Sequence, residues 1–180
     1  MLGVGVVRPL EQAKRPVTVL AGQYGHPLHP AIVAVPIGAW VASFVFDVAS
    51  HLVHDPGFLA QGSRWLIAVG VLGAVAAAMV GFLDLLAIPT GTRAFRIGLT
   101  HMSINLAVTV AYVVGFVIRA GAGTGPVGWG PLVLSALALA ALGASGYLGG
   151  ELAYRYGVRV ADEATQAHGY ERSTVEEEQV

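Results

Sequence analysis

The sequence predicts an all-α integral membrane protein, a bundle of four spanning helices with both termini in the cytoplasm. Three observations support this fold class. Of 180 residues, 55% are hydrophobic and only 12% are charged, whereas soluble domains carry about 25% charged residues. Four apolar runs are each long enough to cross a hydrocarbon core of about 30 Å. Lys and Arg concentrate on one side of the resulting topology, which indicates the cytoplasmic side.

The predicted spans are separated by turn residues such as Asp55-Pro56-Gly57 and Pro89-Thr90-Gly91. They cover about 31–50, 64–88, 96–118 and 131–152. Pro36 lies inside the first span and predicts a kink there. We therefore divide the chain into an N-terminal cytoplasmic or interfacial segment (1–24), a four-helix transmembrane domain (25–153) and a polar, largely solvated cytoplasmic tail (154–180).

Basic residues give the orientation of the bundle. Only Arg64 and Arg119 fall on the side opposite to the termini in the four-span topology. The side that carries the termini holds Arg8, Lys14, Arg15, Arg93, Arg96, Arg155, Arg159 and Arg172. The second and fourth spans also lack the polar stripe that a helix of a soluble bundle requires. The lipid bilayer is therefore the predicted environment, and formation of a homo-oligomer is left open.

Composition excludes several classes of function. The chain contains no cysteine, so disulfides, thiolate metal sites and cysteine nucleophiles are absent. A net charge of -1 argues against a nucleic-acid-binding protein, which would present a basic patch. Ser43, Ser103 and Ser145 lack the Gly-x-Ser-x-Gly context of a hydrolase nucleophile. The sequence thus gives no catalytic residues, and the chain is predicted to be a carrier or accessory subunit rather than an enzyme.

The segment Gly25-His26-Pro27-Leu28-His29-Pro30 introduces two histidines at the start of the first span. Proline is favoured in the first helical turn because its missing N–H has no partner there. We therefore expect His29 to mark the helix boundary and His26 to lie in a non-helical lead-in. Histidine is the commonest metal ligand and titrates near neutral pH.

Counting spans brings further polar residues to the level of these histidines. Residues near the cytoplasmic ends of the second, third and fourth spans are Asp84, His101, Asn105, Glu151 and Tyr154. The opposite level holds Asp47, His51, His54 and Asp55. Asp47 and His51 are four residues apart and can pair on one helix face. We interpret that pair as an interfacial hydrogen bond with water, with a second metal or proton site as the alternative.

Three interpretations of the cytoplasmic cluster remain open. The first is a polar network that satisfies helix ends, with Glu151 paired to Arg155. The second is haem b, ligated by His101 and either His26 or His29, with Asp84, Asn105, Glu151 and Tyr154 as surrounding groups that orient the ligands. The third is a Zn, Cu or Fe ion, whose ligands would be His26, His29, His101 and Glu151. A polyproline-like lead-in would separate His26 and His29 by about 9 Å, too far for one ion, whereas a tight turn would let both bind it.

Small residues recur at four-residue spacing in two spans. The second carries Gly73, Ala77 and Gly81, and the fourth carries Gly146 and Gly150. Such spacing lets helix backbones approach closely in lipid. We interpret both sets as helix-packing surfaces.

The Gly25–Pro30 segment and several later motifs resemble a bacterial membrane family called domain of unknown function 2231. The later motifs are Val35-Pro36-Ile37-Gly38-Ala39-Trp40, Phe46-Asp47, Gly81-Phe82-Leu83-Asp84, Ile88-Pro89, His101, Asn105, Gly149-Gly150-Glu151-Leu152, Tyr154 and Tyr156-Gly157-Val158. The resemblance extends over roughly residues 25–160 and implies a bacterial inner membrane location. Some relatives look fused to Rieske iron–sulfur domains, which implies a redox setting. This cysteine-free chain would need that partner as a separate redox protein.

The leading functional prediction is therefore a small membrane electron carrier with a histidine-based redox or metal site near the cytoplasmic face, with haem b as the suspected cofactor and Zn, Cu or Fe as the alternatives. The runner-up is a cofactor-free accessory subunit whose polar network fixes the helix ends. A third class is a proton or metal-ion transporter that uses Asp84, His101 and Glu151. Against transport, the middle of the second and fourth spans contains only Gly, Ala, Val and Leu.

Overall fold

A computed structural model describes residues 4–171, which form a predominantly helical chain. The helices are α1 (Val4–Lys14), α2 (His29–Ile32), α3 (Ala34–Ala49), α4 (Gly57–Ala87), α5 (Arg93–Ala120), α6 (Trp129–Gly150) and α7 (Glu163–Ala167). A π-helical turn, Glu151–Arg155, prolongs α6, and 3₁₀ turns lie at Val19–Ala21 and His168–Tyr170. Strands β1 (Gly22–Gln23) and β2 (His26–Pro27) form a short antiparallel hairpin.

Four helical segments are long and apolar enough to cross a membrane, as the sequence predicts. They are His29–Ala49, Gly57–Ala87, Arg93–Ala120 and Trp129–Arg155. The second begins seven residues before its predicted start at Arg64, because the polar stretch before Arg64 continues the helix instead of forming a loop. The third begins at Arg93, where the Thr92 side chain accepts a hydrogen bond from the Phe95 N–H and caps the helix.

The first span is interrupted at Val33, between α2 and α3. Pro36 has no N–H to donate to the carbonyl four residues earlier, at Ile32, so the helical ladder loses one hydrogen bond at this position. The interruption lies on the N-terminal side of the proline, three residues before it, near the position of the predicted kink. Because of this break, the short helix that carries His29 is a separate element from the rest of the span.

The centre of the bundle is apolar and takes residues from all four spans. Trp40, Ile67, Val108, Tyr112 and Ala138 form one buried cluster. The Trp40 and Tyr112 rings stack with centroids 4.1 Å apart and an interplanar angle of 9°. The outward faces of the helices carry large exposed apolar side chains such as Leu72 and Leu137. In water these side chains would be unfavourable, whereas in a bilayer they contact lipid.

The small residues of α4 pack against the first span, as predicted. A β-carbon added at Gly73 would lie 2.8 Å from Val35, and one added at Gly81 would lie 2.8 Å from the His29 ring. For α6, the glycines predicted to pack against another helix were the wrong ones. An added β-carbon at Gly146 would meet nothing within 4 Å, and at Gly150 only the nearby Tyr154 ring. The close approach on α6 is at Gly149, 3.2 Å from His101.

The segment after the fourth span folds back onto the bundle, so the prediction of a largely solvated tail was wrong for this part of the chain. Val158 is buried in a cluster with Ala13, Leu85 and Ile88. The Arg159 backbone N–H donates to the Ala13 carbonyl at 3.0 Å. Residues 172–180, the remainder of the predicted tail, lie outside the described residues.

Asp162 joins the start of α7 to the hairpin turn. Its carboxylate accepts from the Thr165 N–H at 2.7 Å and from the Tyr24 hydroxyl at 2.9 Å. These two hydrogen bonds, that of Thr165 first, hold the pKa of the Asp162 carboxyl below its ordinary value.

We therefore expect the docking of α7 to weaken in acid. Because the pKa of Asp162 is lower in the folded state, its ionised carboxylate stabilises the docked α7 above the ordinary pKa of about 3.9. This stabilisation is lost as the pH falls through the lowered pKa. Hydrogen-exchange protection factors of the α7 amides, measured between pH 6 and pH 3, test this. Asp162→Asn keeps a capping side chain without the titrating proton. An equal loss of protection in this variant would rule out Asp162 as the cause.

Candidate functional site

His29 is the first residue of α2, as the sequence predicts, and its ring is held against α4. The Nδ1 atom lies 2.9 Å from the backbone oxygen of Ala77. Since a carbonyl oxygen only accepts, Nδ1 carries the proton and a neutral ring keeps its lone pair on Nε2. The ring rests on Gly81, where a β-carbon would come within 2.8 Å of it. The small residues of α4 therefore fix both the tautomer and the position of this imidazole.

His101 is held against α6 in the same manner. Its Nδ1 donates to the backbone oxygen of Ser145 at 2.8 Å, which again leaves the lone pair on Nε2. The Asn105 amide nitrogen lies 3.2 Å from that Nε2 and also donates to the Ser145 hydroxyl at 2.8 Å. Gly149 lies beneath the ring. The predicted pairing of His101 with Asn105 on one face of the helix is therefore found.

The two imidazoles are neighbours and lie edge to face. Their ring centroids are 6.2 Å apart and their planes make an angle of 85°. Each ring is anchored through Nδ1 to the carbonyl of a different helix, Ala77 on α4 and Ser145 on α6. We call His29 and His101 the histidine pair. Both rings are half-buried.

His26 is not brought to the histidine pair. The lead-in is a tight turn, in which Gln23 pairs with His26 and Gly25 has a φ of 75°. His26 is nevertheless exposed, and its Nδ1 lies 3.5 Å from the Tyr24 carbonyl. A tight turn therefore does not direct His26 and His29 to one point. Within residues 4–171, no group of three or more His, Asp or Glu side chains is placed to hold a metal ion.

Of the remaining residues of the predicted cluster, Glu151 and Asp84 have partners of their own and Tyr154 is exposed. Glu151 pairs with Arg155 at 3.3 Å and accepts from the Tyr156 hydroxyl at 3.3 Å. Tyr154 is 93% exposed and points away from the bundle. Asp84 forms an ion pair with Arg159, with 2.7 Å between Oδ1 and Nε.

Arg159 is a site residue that sequence reasoning missed, because it was assigned to a solvated tail. Only 4% of it is exposed, and its Nη2 donates to the Ala21 carbonyl at 2.9 Å. It is also the one non-glycine residue of the described chain with a positive φ, at 61°. Gly157, in the Tyr156-Gly157-Val158 motif before it, could have predicted this position, because glycine often occurs where a chain reverses direction.

A second polar cluster lies at the opposite end of the bundle, and here the predicted pairing was wrong. Asp47 forms a fully buried ion pair with Arg119 instead of an interfacial contact with His51. Ser63 donates to the Asp47 carboxylate, and Arg119 donates to the Ser135 hydroxyl at 3.0 Å. Span counting placed Arg119 on the side opposite to the termini and gave it no partner; its guanidinium points back into the bundle and donates to the Gly115 carbonyl at 3.1 Å.

The His51 ring instead stacks on Trp129, with centroids 4.7 Å apart. His54 and Asp55, also predicted at this level, are exposed. The second end of the bundle therefore holds both a buried ion pair and a histidine–tryptophan stack.

Comparison with known proteins identifies the family. No curated protein and no solved structure is similar enough to the chain to count as a match. The model of a family described as predicted membrane protein DUF2231 matches residues 25–162, more than three-quarters of the chain. This range contains the four spanning segments, the histidine pair and the Asp84–Arg159 ion pair. The chain therefore belongs to the DUF2231 family of membrane proteins.

Proposed function

We propose that this protein is a membrane electron carrier in which the histidine pair, His29 and His101, would hold a haem b. The observation that carries the proposal is the geometry of the pair. Both Nδ1 atoms are occupied by backbone carbonyls, so both free lone pairs lie on Nε2. Backbone or carboxylate bonds at the other ring nitrogen are typical of metal-ligating histidines.

The separation of the rings fits two ligands of one metal. Imidazole–metal bonds are about 2 Å long and ring atoms lie about 1 Å from the centroid, so two such ligands have centroids about 6 Å apart. The centroids of His29 and His101 are 6.2 Å apart. The Asn105 contact with Nε2 would have to open, and that amide would keep its shorter bonds to the Ser145 hydroxyl and the His101 carbonyl.

The number of ligands favours haem over a free metal ion. A zinc site takes three or four protein ligands, whereas the porphyrin leaves its iron only two axial positions. In the part of the chain that the structure describes, no third His, Asp or Glu side chain is placed to bind a metal ion together with the histidine pair. The Zn, Cu or Fe site built from His26, His29, His101 and Glu151 thus has less support.

Haem b, when bound, supplies one-electron chemistry, and the protein's contribution is to hold the ligands. Ala77 and Ser145 set the tautomers of the rings, and Gly81 and Gly149 leave room for them. The Asp84–Arg159 pair places one charge of each sign near His29, since Asp84 and His29 are close enough to interact electrostatically. We further propose that both termini face the cytoplasm of a bacterial inner membrane and that a separate redox protein exchanges the electron there.

A cofactor-free accessory subunit is the second candidate, and one observation favours it. The Asn105 amide lies 3.2 Å from the His101 Nε2, so that ring has a hydrogen-bond partner at both nitrogens without a metal. Glu151 likewise finds Arg155. In this function the histidines fix the helix ends, and a partner protein carries the activity.

The test is the visible spectrum of the purified protein from haem-supplemented cells, oxidised and dithionite-reduced, with metal analysis of the same sample. We expect a Soret band that sharpens on reduction and one iron per chain. His101→Ala and His29→Ala should each lose the band. His26→Ala and His54→Ala are matched controls, because both side chains are exposed, and should keep it.

A colourless, iron-free wild-type protein would contradict the haem proposal. His101→Ala would then be expected only to lower thermal stability, which is the result for the accessory subunit. A colourless protein with stoichiometric zinc, copper or iron would instead support the non-haem metal site.

A further inference from the structure

The segment before the first span exposes large apolar side chains on a short 3₁₀ turn. We call this turn, Val19–Ala21, the apolar turn. Val19 is 81% exposed and Leu20 is 69% exposed, whereas Ala21 is completely buried. Single exposed apolar residues are ordinary on any protein surface, but neighbouring ones beside a membrane span indicate a contact surface.

Hydrogen bonds hold the apolar turn against the start of the first span. The side chain of Thr18 caps the turn by accepting from a backbone N–H. The Ala21 carbonyl accepts from the Leu28 N–H at 3.2 Å and from Arg159 Nη2 at 2.9 Å. Leu28 directly precedes His29, where the first span begins. The turn is therefore attached to that span through its buried residue, with its two large side chains on the outer side.

Arg159 also fixes the level of the apolar turn along α4. The guanidinium that donates to Ala21 pairs through Nε with Asp84, at 2.7 Å. Asp84 lies between Phe82 and Leu86, which are 50% and 53% exposed and belong to the apolar outer surface of α4. Because that surface contacts lipid, the apolar turn lies at a level where the neighbouring helix is still in the membrane.

The chain around the apolar turn has the composition of a membrane interface. Residues 16–25 contain no charged side chain, so no ion has to be desolvated when the turn enters lipid. Arg15, just before them, is exposed, and its guanidinium carbon lies 5.9 Å from the centroid of the Tyr24 ring. Arginine and tyrosine both favour the headgroup level, where their apolar parts meet lipid and their polar ends meet water.

We propose that the apolar turn is a membrane-inserting element, with Val19 and Leu20 among the acyl chains of the leaflet on the side of the termini. The partner of this surface is the lipid of that leaflet. The turn continues the lipid-facing surface of α4 and is tied to the first span, and both features place it beside lipid. The inference goes beyond electron transfer and does not depend on a bound haem.

Insertion of the apolar turn places the histidine pair inside the hydrocarbon layer. The His29 ring rests on Gly81 and is anchored at Ala77, which precede Asp84 by three and seven residues. These separations correspond to about 5 Å and 10 Å along α4, at 1.5 Å per residue. The pair therefore lies deeper in the membrane than the turn, and a water-soluble redox partner would have to exchange electrons across this layer.

The test measures the depth of the turn in the full-length protein in liposomes. The chain contains no cysteine, so Leu20→Cys can carry a single spin label. Its collision rates with oxygen, which concentrates in lipid, and with a water-soluble nickel chelate are obtained by power saturation. We expect the nickel collision rate to be about tenfold lower than at Glu11→Cys, because hydrocarbon excludes the polar chelate. Glu11 is an exposed, charged position of α1, and Leu86→Cys is the lipid-facing control that Leu20→Cys should match.

A nickel collision rate at Leu20→Cys equal to that at Glu11→Cys would overturn the proposal, because the turn would then lie in water. Low collision rates with both reagents would overturn it as well, since a second copy of the chain or another protein would then cover the turn. Val19→Cys repeats the measurement from a second position and decides if Leu20→Cys does not fold.

Discussion

Replacing Asp47 with alanine is expected to destabilise the protein by about 3–5 kcal/mol, because it leaves the Arg119 cation buried without its counter-ion. Asp47 is fully buried and Arg119 is 5% exposed, so water cannot replace the lost partner. Ser63 also loses the carboxylate to which it donates. Unfolding of the purified protein by denaturant or heat in mild detergent measures this loss.

Asp55→Ala is the control, because this carboxylate belongs to the same end of the bundle but is exposed. We expect its effect to stay within about 0.5 kcal/mol, as at most surface positions. Replacing both partners, with Asp47→Leu and Arg119→Met, should recover much of the stability, since an apolar pair often matches a buried ion pair. An Asp47→Ala loss no larger than that of Asp55→Ala would mean that the ion pair is not buried in the folded protein.

The spanning segments could be predicted because length and apolarity are local properties of the sequence. The Asp47–Arg119 pair could not, since its partners are 72 residues apart. Which residues meet depends on how α3 and α5 are rotated against each other. The pairing expected instead, with His51, followed the local rule that residues four apart share a helix face. Asp47 points into the bundle at that position, whereas the His51 ring stacks on Trp129.

The depth of the histidine pair in the bundle could also be predicted from the sequence. Which two of the three histidines form the pair could not be predicted. Span counting brought His29 and His101 to one depth, and their rings are neighbours. It gave His26 the same depth, yet the hairpin turn leaves that side chain exposed. The anchors of the pair are backbone carbonyls of Ala77 and Ser145, which no pattern of side chains reveals.

Gly70→Ala is expected to cost about 2–4 kcal/mol, although alanine is the better helix former. An added β-carbon at Gly70 would overlap the five-membered ring of Trp40. That indole is 2% exposed and stacks on Tyr112, so it has no free space into which to move. A shift would also break the hydrogen bond from Trp40 Nε1 to the Ile67 carbonyl, 3.4 Å long. Unfolding in detergent measures the loss of stability, and the tryptophan fluorescence maximum measures the change in the environment of Trp40.

Gly146→Ala is the control that separates the effect of steric overlap on stability from the effect of helix propensity. This glycine also lies within a spanning helix, but an added β-carbon would meet nothing within 4 Å. With no overlap, only the gain in helix propensity remains, about 0.5–1 kcal/mol of added stability. Opposite signs at the two positions would assign the destabilisation at Gly70 to contact with Trp40. A stabilised Gly70→Ala variant would mean that Trp40 does not lie against α4, and the central Trp40–Tyr112 stack would then need a different arrangement of α3 and α4.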